Sequence, residues 1–464
     1  MVVRLHHSVG AMRHAMPLVT TRWAANRLMR AAFAVCVSAF ILGTRLNLFG
    51  INANLSIVGM AGILALQFMV FERTQLANYP KAMPYIVLCV ALALYSAGMQ
   101  YWLHGTEYQF YFARICVNYA LYIVAAIAAC NVMNALRLDL CAIVLTVFYV
   151  AALNGVIIAL EFNFPIIRTT LEGWLVQAEG SNINYKLVSW RLRGIAAEGG
   201  ASLSIFMALG IAAGALAVHE GRLSALPFMI GSVTILIALI TVARTGLYLG
   251  LALFAAFIVV QLATGFRRNW PAVAVALLLP IFYFSAASQN YSAVAPWAFE
   301  LFNNLYQSGE LRTDSTDDLR AMFGEPPSNL QTADEGRVSG SPRMSGWGWV
   351  VGIGFFDGNA LFRNDSGYIK TIYSVGGIGA FVIYGLFAFH LLSGVSRRLG
   401  WASYIWFFYL GALFVSELKE PLLYQNYTGR SLALIIAGAY LVCSQSRQES
   451  APRTPSGHSS PVPN

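Results

Sequence analysis

The chain has little charge. Only 11% of its 464 residues are Asp, Glu, Lys or Arg, whereas a soluble domain carries about 25%. Hydrophobic residues make up 58% of the chain, and they form continuous apolar runs rather than the short alternating segments of a transmembrane β-barrel. These features exclude an ordinary soluble domain and predict an all-α polytopic membrane protein.

The recognisable signatures of cofactor, metal and nucleotide sites are also missing. The six cysteines stand in or beside apolar runs without CxxC or Cys/His spacing, so neither a disulfide framework nor a thiolate metal site is predicted. HExxH, P-loop, Rossmann and Ser-His-Asp patterns are absent as well. The formal charge of +9 comes from basic residues in short loops and not from a basic stripe interleaved with aromatics, so no nucleic-acid partner is predicted.

The apolar runs predict about twelve transmembrane helices, since a helix needs about 20 residues to cross a bilayer. The predicted spans are Leu28–Leu46, Leu55–Phe71, Met83–Met99, Phe110–Cys130, Leu140–Leu160, Gly199–Val218, Ala225–Val242, Thr245–Thr264, Pro271–Ser288, Lys370–Gly394, Trp401–Ser416 and Ser431–Ser444.

The organisation that follows has five parts. They are a basic N-terminus at 1–27, helices 1–9 at 28–288 with a polar loop at 161–198, a large loop at 289–369, helices 10–12 at 370–444 and a Ser/Pro-rich disordered tail at 445–464.

The distribution of Lys and Arg predicts the orientation. The N-terminus, the Arg267–Arg268 loop, the Arg397–Arg398 loop and the tail are basic, and the positive-inside rule places such segments in the cytoplasm. Both termini are therefore predicted to be cytoplasmic, and both long polar loops are predicted to lie on the outer face.

The first candidate site ends the 161–198 loop. Arg191 and Arg193 are followed by Glu198 at the start of a predicted helix. Guanidinium groups bind phosphate through two parallel hydrogen bonds, and a carboxylate at membrane depth is costly unless it is functional or paired. The alternative is that the arginines extend to lipid headgroups and that one of them pairs with Glu198. The functional interpretation is preferred because both arginines stand on the outer side, against the charge bias.

The second candidate is Arg244, in the tight turn Thr241-Val-Ala-Arg-Thr-Gly between two apolar spans. An arginine held between two helices needs an anionic partner. A lipid headgroup and a substrate phosphate both satisfy that need, and both stay open.

Two further candidates flank the last spans. Arg343 and the segment Asn364-Asp365-Ser-Gly-Tyr368 close the large loop. Asp365 either caps the helix that follows, as Asp often does, or binds a sugar hydroxyl; alone, the cap is preferred. Beyond these, Glu417-Leu-Lys-Glu420 and Arg430 precede the last span. Salt bridging within that cluster is the simpler interpretation, and a general base is the other.

These four segments, in this order, resemble the Wzy-type O-antigen and exopolysaccharide polymerases of bacteria, whose layout the O-antigen ligases share. The resemblance covers the C-terminal two-thirds of the chain. Arg343 and Gly354 also fit the Arg-x10-Gly spacing of some polymerase loops. Ligases are expected to use a histidine in the large loop, and residues 289–368 contain none, which favours a polymerase.

The resemblance implies a GT-C-like multi-pass protein of the bacterial inner membrane. A glycan on undecaprenyl pyrophosphate would be the donor, and a lipid-linked repeat unit the acceptor. No cofactor or metal is implied, and a chain-length regulator, a flippase and membrane lipids are the implied partners. Arg191, Arg193 and Arg244 would contact pyrophosphate, with Arg343, Tyr368 and Arg430 as further substrate contacts. Glu198, Glu420 and Asp365 would serve as catalytic or sugar-binding carboxylates.

Three other functions stay open, and one of them is a non-enzymatic scaffold of envelope assembly, in which the outer arginines would only bind lipid. A ligase would move the same donor to a different acceptor. A lipid-linked glycan transporter would belong to another class, and such proteins often have two similar halves and helices broken at mid-membrane. The sequence shows no internal repeat.

Overall fold

The computed structural model describes residues 26–48, 51–70, 79–104, 110–176, 191–292, 294–309, 346–352, 354, 366–396, 402–418, 420–424 and 426–439. Arg343, Asp365, the basic segment before residue 26, most of the large loop and the tail lie outside these ranges, so the predictions made for them stay predictions.

The described chain is mostly helical, as expected for an all-α membrane protein. The helices, numbered in chain order, are α1 (26–42), α2 (Leu55–Met69), α3 (Tyr79–His104), α4 (Tyr111–Ala135), α5 (Leu140–Asn163), α6 (Pro165–Trp174), α7 (Gly200–His219), α8 (Ala225–Val242), α9 (Arg244–Tyr291), α10 (Ala295–Ala298), α11 (Glu300–Ser308), α12 (Gly346–Val351), α13 (Gly367–Ser396), α14 (Ala402–Ser416) and α15 (Asn426–Ala437). One antiparallel hairpin that the all-α prediction did not include joins β1 (Arg45–Leu48) to β2 (Ile51–Asn54).

Six of the described helices are long and apolar enough to cross a membrane: Ala82–Trp102, Tyr111–Ala135, Leu140–Asn163, Gly200–His219, Ala225–Val242 and Gly367–Leu392. Shorter apolar helices occur at Leu55–Met69, Arg244–Val260 and Ile405–Ser416. The protein is therefore a helical membrane protein.

Helix α7 is the centre of the bundle, with 89% of its most apolar window buried. Small residues let its neighbours approach closely. A Cβ on Gly246 of α9 would lie 2.4 Å from Ser204 of α7, and a Cβ on Gly210 would lie 2.5 Å from Ala151 of α5. Such contacts are typical of membrane helices, where small residues allow close backbone packing. The Gly246 contact fixes the start of α9, and with it Arg244.

Several segments that connect the helices meet at one end of the bundle, here called the site end. Thr44 Oγ1 donates to Ile195 O at 2.6 Å, and the Leu192 N–H donates to Thr241 O at 3.3 Å. Near the last helices, the Gly367 N–H donates to Glu417 O at 2.9 Å. Segments from widely separated parts of the sequence therefore meet at this end.

The opposite end carries a different set of residues. Arg30 donates to Leu136 O at 2.9 Å, at the end of α4, and Arg222 pairs with Asp139 at 2.5 Å between two exposed side chains. Arg137 follows α4 directly. Arg30, Arg137 and Arg222 therefore lie away from the site end.

The two spans predicted at Thr245–Thr264 and Pro271–Ser288 lie within one helical element of the structure, α9, which extends over 48 residues. This element is not straight. Tyr248 Oη donates to Ala298 O at 3.0 Å, yet a straight helix would place Tyr291 about 65 Å from Tyr248. The seven residues that follow reach at most about 25 Å. The segment must therefore reverse its direction between Tyr248 and Tyr291.

Helix α13 is broken at Gly376, which has φ 74° and ψ 173°. Helix α12 packs into the break: a Cβ on Gly376 would lie 2.1 Å from Val350 O, and one on Gly352 would lie 2.4 Å from Gly376 N. Both glycines have positive φ, where only glycine is comfortable. These glycines therefore allow the backbones of α12 and α13 to approach closely.

Candidate functional site

Arg193 is an internal residue with 1% exposure. Its guanidinium forms a two-pronged pair with Glu172, through Nε at 3.2 Å and Nη2 at 2.8 Å, and Nη1 donates to Ala197 O at 3.0 Å. A guanidinium that is paired with a carboxylate and donates from each of its three nitrogens is an arrangement in which a buried arginine is tolerated. This position favours a structural role, and the predicted contact with pyrophosphate stays a prediction that the geometry does not support.

The backbone around Arg193 is held by two buried side chains of α5. Asn154 Oδ1 accepts from the Ile195 N–H at 3.0 Å and its Nδ2 donates to Arg193 O at 3.3 Å. Glu161 Oε2 accepts from the Gly194 N–H at 3.1 Å. Gly194 has φ +60°, and a Cβ there would lie 2.3 Å from Asn154 Oδ1. The Arg-x-Arg-Gly segment is thus a rigid loop. Its two arginine side chains have different contacts, because Arg193 pairs with Glu172 and Arg191 lies over Trp297.

Arg191 and Arg244 meet at one aromatic ring. The guanidinium carbon of Arg191 lies 5.6 Å from the centroid of Trp297, and that of Arg244 lies 5.0 Å from it. Both distances are within the range of a cation–π contact. The two charges are therefore no more than about 11 Å apart, close to one Debye length at physiological salt. Two such cations form a favourable place for an anion.

Glu300 lies beside these cations. Its carboxylate pairs with Arg244 Nη1, with the two side chains 20% and 13% exposed. Tyr248, one turn along α9, accepts from the Leu301 N–H at 3.3 Å while donating to Ala298 O. The start of the large loop is thereby fastened over the start of α9.

Glu198 stands at the entrance of α7. Its Oε2 accepts from Asn426 Nδ2 at 3.2 Å, and its backbone carbonyl accepts from Tyr427 Oη at 2.8 Å. Burial raises the pKa of the Glu198 carboxyl above its ordinary value, and the nearby charges of Arg45 and Arg430 oppose that rise. Burial favours the protonated form of this carboxyl, and nearby cations favour its ionised form. A group balanced in this way is suited to general acid–base catalysis.

Arg430 is buried, with 7% exposure. Its Nη1 donates to Phe40 O at 3.2 Å and to Ile41 O at 2.9 Å. These carbonyls end α1, where a cation is favourable, and Gly43 follows with φ +55°. A Cβ on Gly43 would lie 2.1 Å from Arg430 Nη1. In this position Arg430 caps the C-terminal end of α1, and it acts on Glu198 through its charge, which opposes the rise in the pKa of that carboxyl.

Glu417 is the centre of a second buried network. Its Oε2 accepts from the Leu422 N–H at 2.7 Å and from the Leu423 N–H at 3.3 Å, while Oε1 accepts from Tyr384 Oη at 2.9 Å. Thr371 Oγ1 lies 2.9 Å from Tyr384 Oη and 2.5 Å from Tyr424 Oη. Burial raises the pKa of Glu417 to about 7, despite the three hydrogen bonds that lower it.

The predicted residues Tyr368 and Glu420 flank this network. Tyr368 Oη donates to Phe414 O at 2.7 Å near the end of α14, so its hydroxyl joins α13 to α14. Glu420 is partly exposed and its charge contributes to raising the pKa of Glu417. Of the two carboxylates, Glu420 is the accessible one.

An apolar cavity of about 360 Å³ lies beside the Glu417 network, between α3, α4, α13 and α15. Tyr424 lines it, and so do Phe112, Phe387 and His390. Tyr424 is thus shared between the polar network and the cavity. A cavity of this size matches the lower end of small-molecule pockets.

Of the three arginines predicted to contact pyrophosphate, the structure brings together Arg191 and Arg244 but not Arg193. It places Glu198, Glu420, Tyr368 and Arg430 at the same end of the bundle. The sequence did not predict Trp297 as the shared contact or Glu300 and Glu172 as the partners. Glu417 was predicted only as a member of a cluster that is either salt-bridged or a general base. Glu172 and Glu417 had a usable signal, because an acidic residue beside an apolar run tends to be paired. Among the described residues, no group of three His, Cys, Asp or Glu side chains could hold a metal ion.

Comparisons with protein-family models, with curated proteins and with solved structures find no match for this chain. The functional argument therefore depends on the residues and their geometry.

Proposed function

We propose that this protein is a glycan polymerase that joins oligosaccharide repeat units carried on undecaprenyl pyrophosphate, at the outer face of the bacterial inner membrane. A hydroxyl of the acceptor unit would attack the anomeric carbon of the donor glycan. The bond to the lipid pyrophosphate would break, and the pyrophosphate would leave with the electron pair. The resemblance of the four segments to the polymerase family motivates this proposal.

The observation that carries the proposal is the convergence of Arg191 and Arg244 on Trp297. The leaving pyrophosphate gains negative charge in the transition state, and fixed donors aimed at developing charge are usually the largest source of catalysis. The two arginines come from different loops and meet at the end of the bundle, where a lipid headgroup would present its phosphates. Arg244 is partly exposed, so an anion can approach it.

The proposed acid–base group is Glu198, with Glu420 as the other carboxylate. The raised pKa of Glu198 makes its carboxylate a stronger base toward the attacking hydroxyl than an ordinary glutamate. Asn426 fixes one of its oxygens. Arg343 and Asp365 remain proposed sugar or phosphate contacts of the large loop.

The topology of the proposal has twelve crossings, cytoplasmic termini and a large periplasmic loop between helices 9 and 10, in a GT-C-like arrangement. The reversal of α9 supports counting that segment as two crossings. The apolar cavity beside Tyr424 offers a place within the bundle for part of the isoprenoid chain. A chain-length regulator and a flippase would be the proposed partners.

The decisive experiment uses the purified full-length protein in detergent with a synthetic undecaprenyl-pyrophosphate repeat unit, without nucleotide. We expect a ladder of lipid-linked oligomers on a gel. Arg244→Lys keeps the charge and loses the planar fork of donors, so the ladder should shorten while the abundance of the protein stays normal. Arg222→Lys, at the exposed ion pair of the opposite end, is the matched control. A normal ladder from Arg244→Lys would remove Arg244 as a phosphate ligand.

A second candidate is favoured by one specific observation, the break of α13 at Gly376. Transporters use discontinuous helices near the middle of the membrane, so a lipid-linked glycan transporter is the alternative. Reconstituted vesicles separate the two: movement of a labelled lipid-linked unit between leaflets without a ladder would favour the transporter. A ligase would instead transfer the glycan to an acceptor that is not a repeat unit.

A further inference from the structure

The ion pair between Arg244 and Glu300 occupies the proposed anion site. Arg244 is the cation best placed to receive a phosphate, and its Nη1 is already paired with a carboxylate. Carboxylates and phosphates are recognised by the same forked donors of arginine. An incoming phosphate oxygen and the Glu300 carboxylate therefore require the same position.

The carboxylate belongs to a separate element from the arginine. Glu300 is the first residue of α11, in the segment that leaves the bundle toward the large loop. Tyr248 Oη holds this segment at Ala298 O and at the Leu301 N–H. The backbone on both sides of Glu300 is thus fastened independently of its side chain, so the side chain can leave Arg244 without the segment being released.

We propose that Glu300 is an internal competitor at the anion site, and that pyrophosphate binds by displacing its carboxylate from Arg244. This inference rests on the proposed function of the arginines as a pyrophosphate site. It adds a regulatory contact that sets the affinity of the site for anions.

The energetic consequence is a reduced apparent affinity. Only the fraction of molecules in which Arg244 is free of Glu300 can accept an anion, and the apparent dissociation constant rises by the inverse of that fraction. A singly charged anion would interact with Arg244 about as strongly as the Glu300 carboxylate does, so it would gain little by displacing that carboxylate. A pyrophosphate has several oxygens and can contact both arginines, so its gain would be larger. The competitor would therefore select for a polyvalent anion.

The test measures binding of inorganic pyrophosphate to the detergent-purified full-length protein by calorimetry. Glu300→Gln removes the competing charge with little change in shape, and we expect binding about tenfold tighter than in the wild type. Asp139→Asn removes the acidic partner of the ion pair at the opposite end and should leave the affinity unchanged. Adding Arg244→Gln to Glu300→Gln should abolish the gain.

A second variant separates displacement from a simple change in charge. Glu300→Asp keeps the charge but withdraws the carboxylate by one methylene, so displacement predicts tighter binding than in the wild type. If charge alone decided the affinity, Glu300→Asp would bind like the wild type, and the proposal would be overturned. Equal or weaker binding by Glu300→Gln, or no binding by any variant, would overturn it as well.

The ladder assay keeps the two proposals distinguishable. Tighter pyrophosphate binding by Glu300→Gln without a ladder from the wild type supports the competitor and refutes the polymerase. A ladder from the wild type, with unchanged pyrophosphate binding by Glu300→Gln, refutes the competitor and leaves the polymerase standing.

Discussion

Replacing Glu417 by Gln tests the buried network at the end of α14. The amide oxygen of Gln can accept from the Leu422 and Leu423 N–H groups, as Glu417 Oε2 does. The amide nitrogen can donate to Tyr384 Oη, which can turn its own hydrogen toward Thr371 Oγ1, 2.9 Å away. Every hydrogen bond of the carboxyl therefore has a counterpart in the variant, and only the charge is lost.

The magnitude follows from the pKa. Burial raises the pKa of Glu417 from its ordinary 4.5 to about 7, which corresponds to about 3 kcal/mol at about 1.4 kcal/mol per pKa unit. Between these two values the folded protein holds a proton that the unfolded chain has released. The free energy of unfolding therefore falls as the pH rises through this window. Above pH 7 the charged carboxylate lowers stability by about the full 3 kcal/mol.

Glu417→Gln should consequently match the wild type at pH 5 and exceed it at pH 8. The measurement is the melting temperature in detergent at both pH values, followed by intrinsic fluorescence. We expect the variant to melt a few degrees higher at pH 8. Glu220→Gln, at an exposed carboxylate of the opposite end, is the control and should show no pH-dependent difference.

One result would refute this reasoning. If Glu417→Gln melts lower than the wild type at pH 8, the ionised carboxylate stabilises the fold. The two backbone N–H donors and the Tyr384 hydroxyl would then outweigh the cost of burying the charge, and the pKa would have to lie below its ordinary value.

Two further predictions concern the framework of the site. Glu172→Gln leaves Arg193 as a buried charge without its carboxylate, so the free energy of unfolding should fall by about 3–5 kcal/mol. The measurement is the yield of monodisperse protein, which should be low. A normal yield with a shortened ladder would instead indicate a catalytic role. Gly376→Ala places a Cβ 2.1 Å from Val350 O at a positive φ, so α12 should separate from α13. Protease cleavage between these two helices should therefore increase. An unchanged pattern of cleavage would contradict the described packing.

The location of the site could be predicted from the sequence. An arginine is expensive inside a membrane, and Lys and Arg favour the cytoplasmic loops. In the predicted orientation Arg191 and Arg244 lie on the outer face, against this bias, and for that reason the sequence predicted them as site residues. The segments around them do lie at one end of the bundle, and the contacts of Leu192 with Thr241 and of Gly246 with Ser204 explain why.

The partners within the site could not be predicted in the same way. Trp297 and Glu300 lie more than fifty residues after Arg244, in a loop whose return to the start of α9 depends on the reversal of that helix. Neither residue stands out in its own segment, since aromatic and acidic residues are common near membrane surfaces. A contact that depends on a distant reversal of the chain leaves no local sequence pattern from which it could be predicted.

The four arginines of the site end show why position alone does not identify a ligand-binding residue. All four were predicted to contact substrate, and in the predicted orientation all four lie on the outer face, against the charge bias. Arg193 is paired with Glu172 at 1% exposure, and Arg430 caps the carbonyls that end α1. Each has an internal reason to be there that needs no ligand. Arg191 and Arg244 instead share one ring, and the described carboxylate opposing Arg244 comes from an element that enters the large loop. A partly exposed cation whose partner can be exchanged is the arrangement that an anion site requires, and for this reason the functional proposal depends on these two arginines.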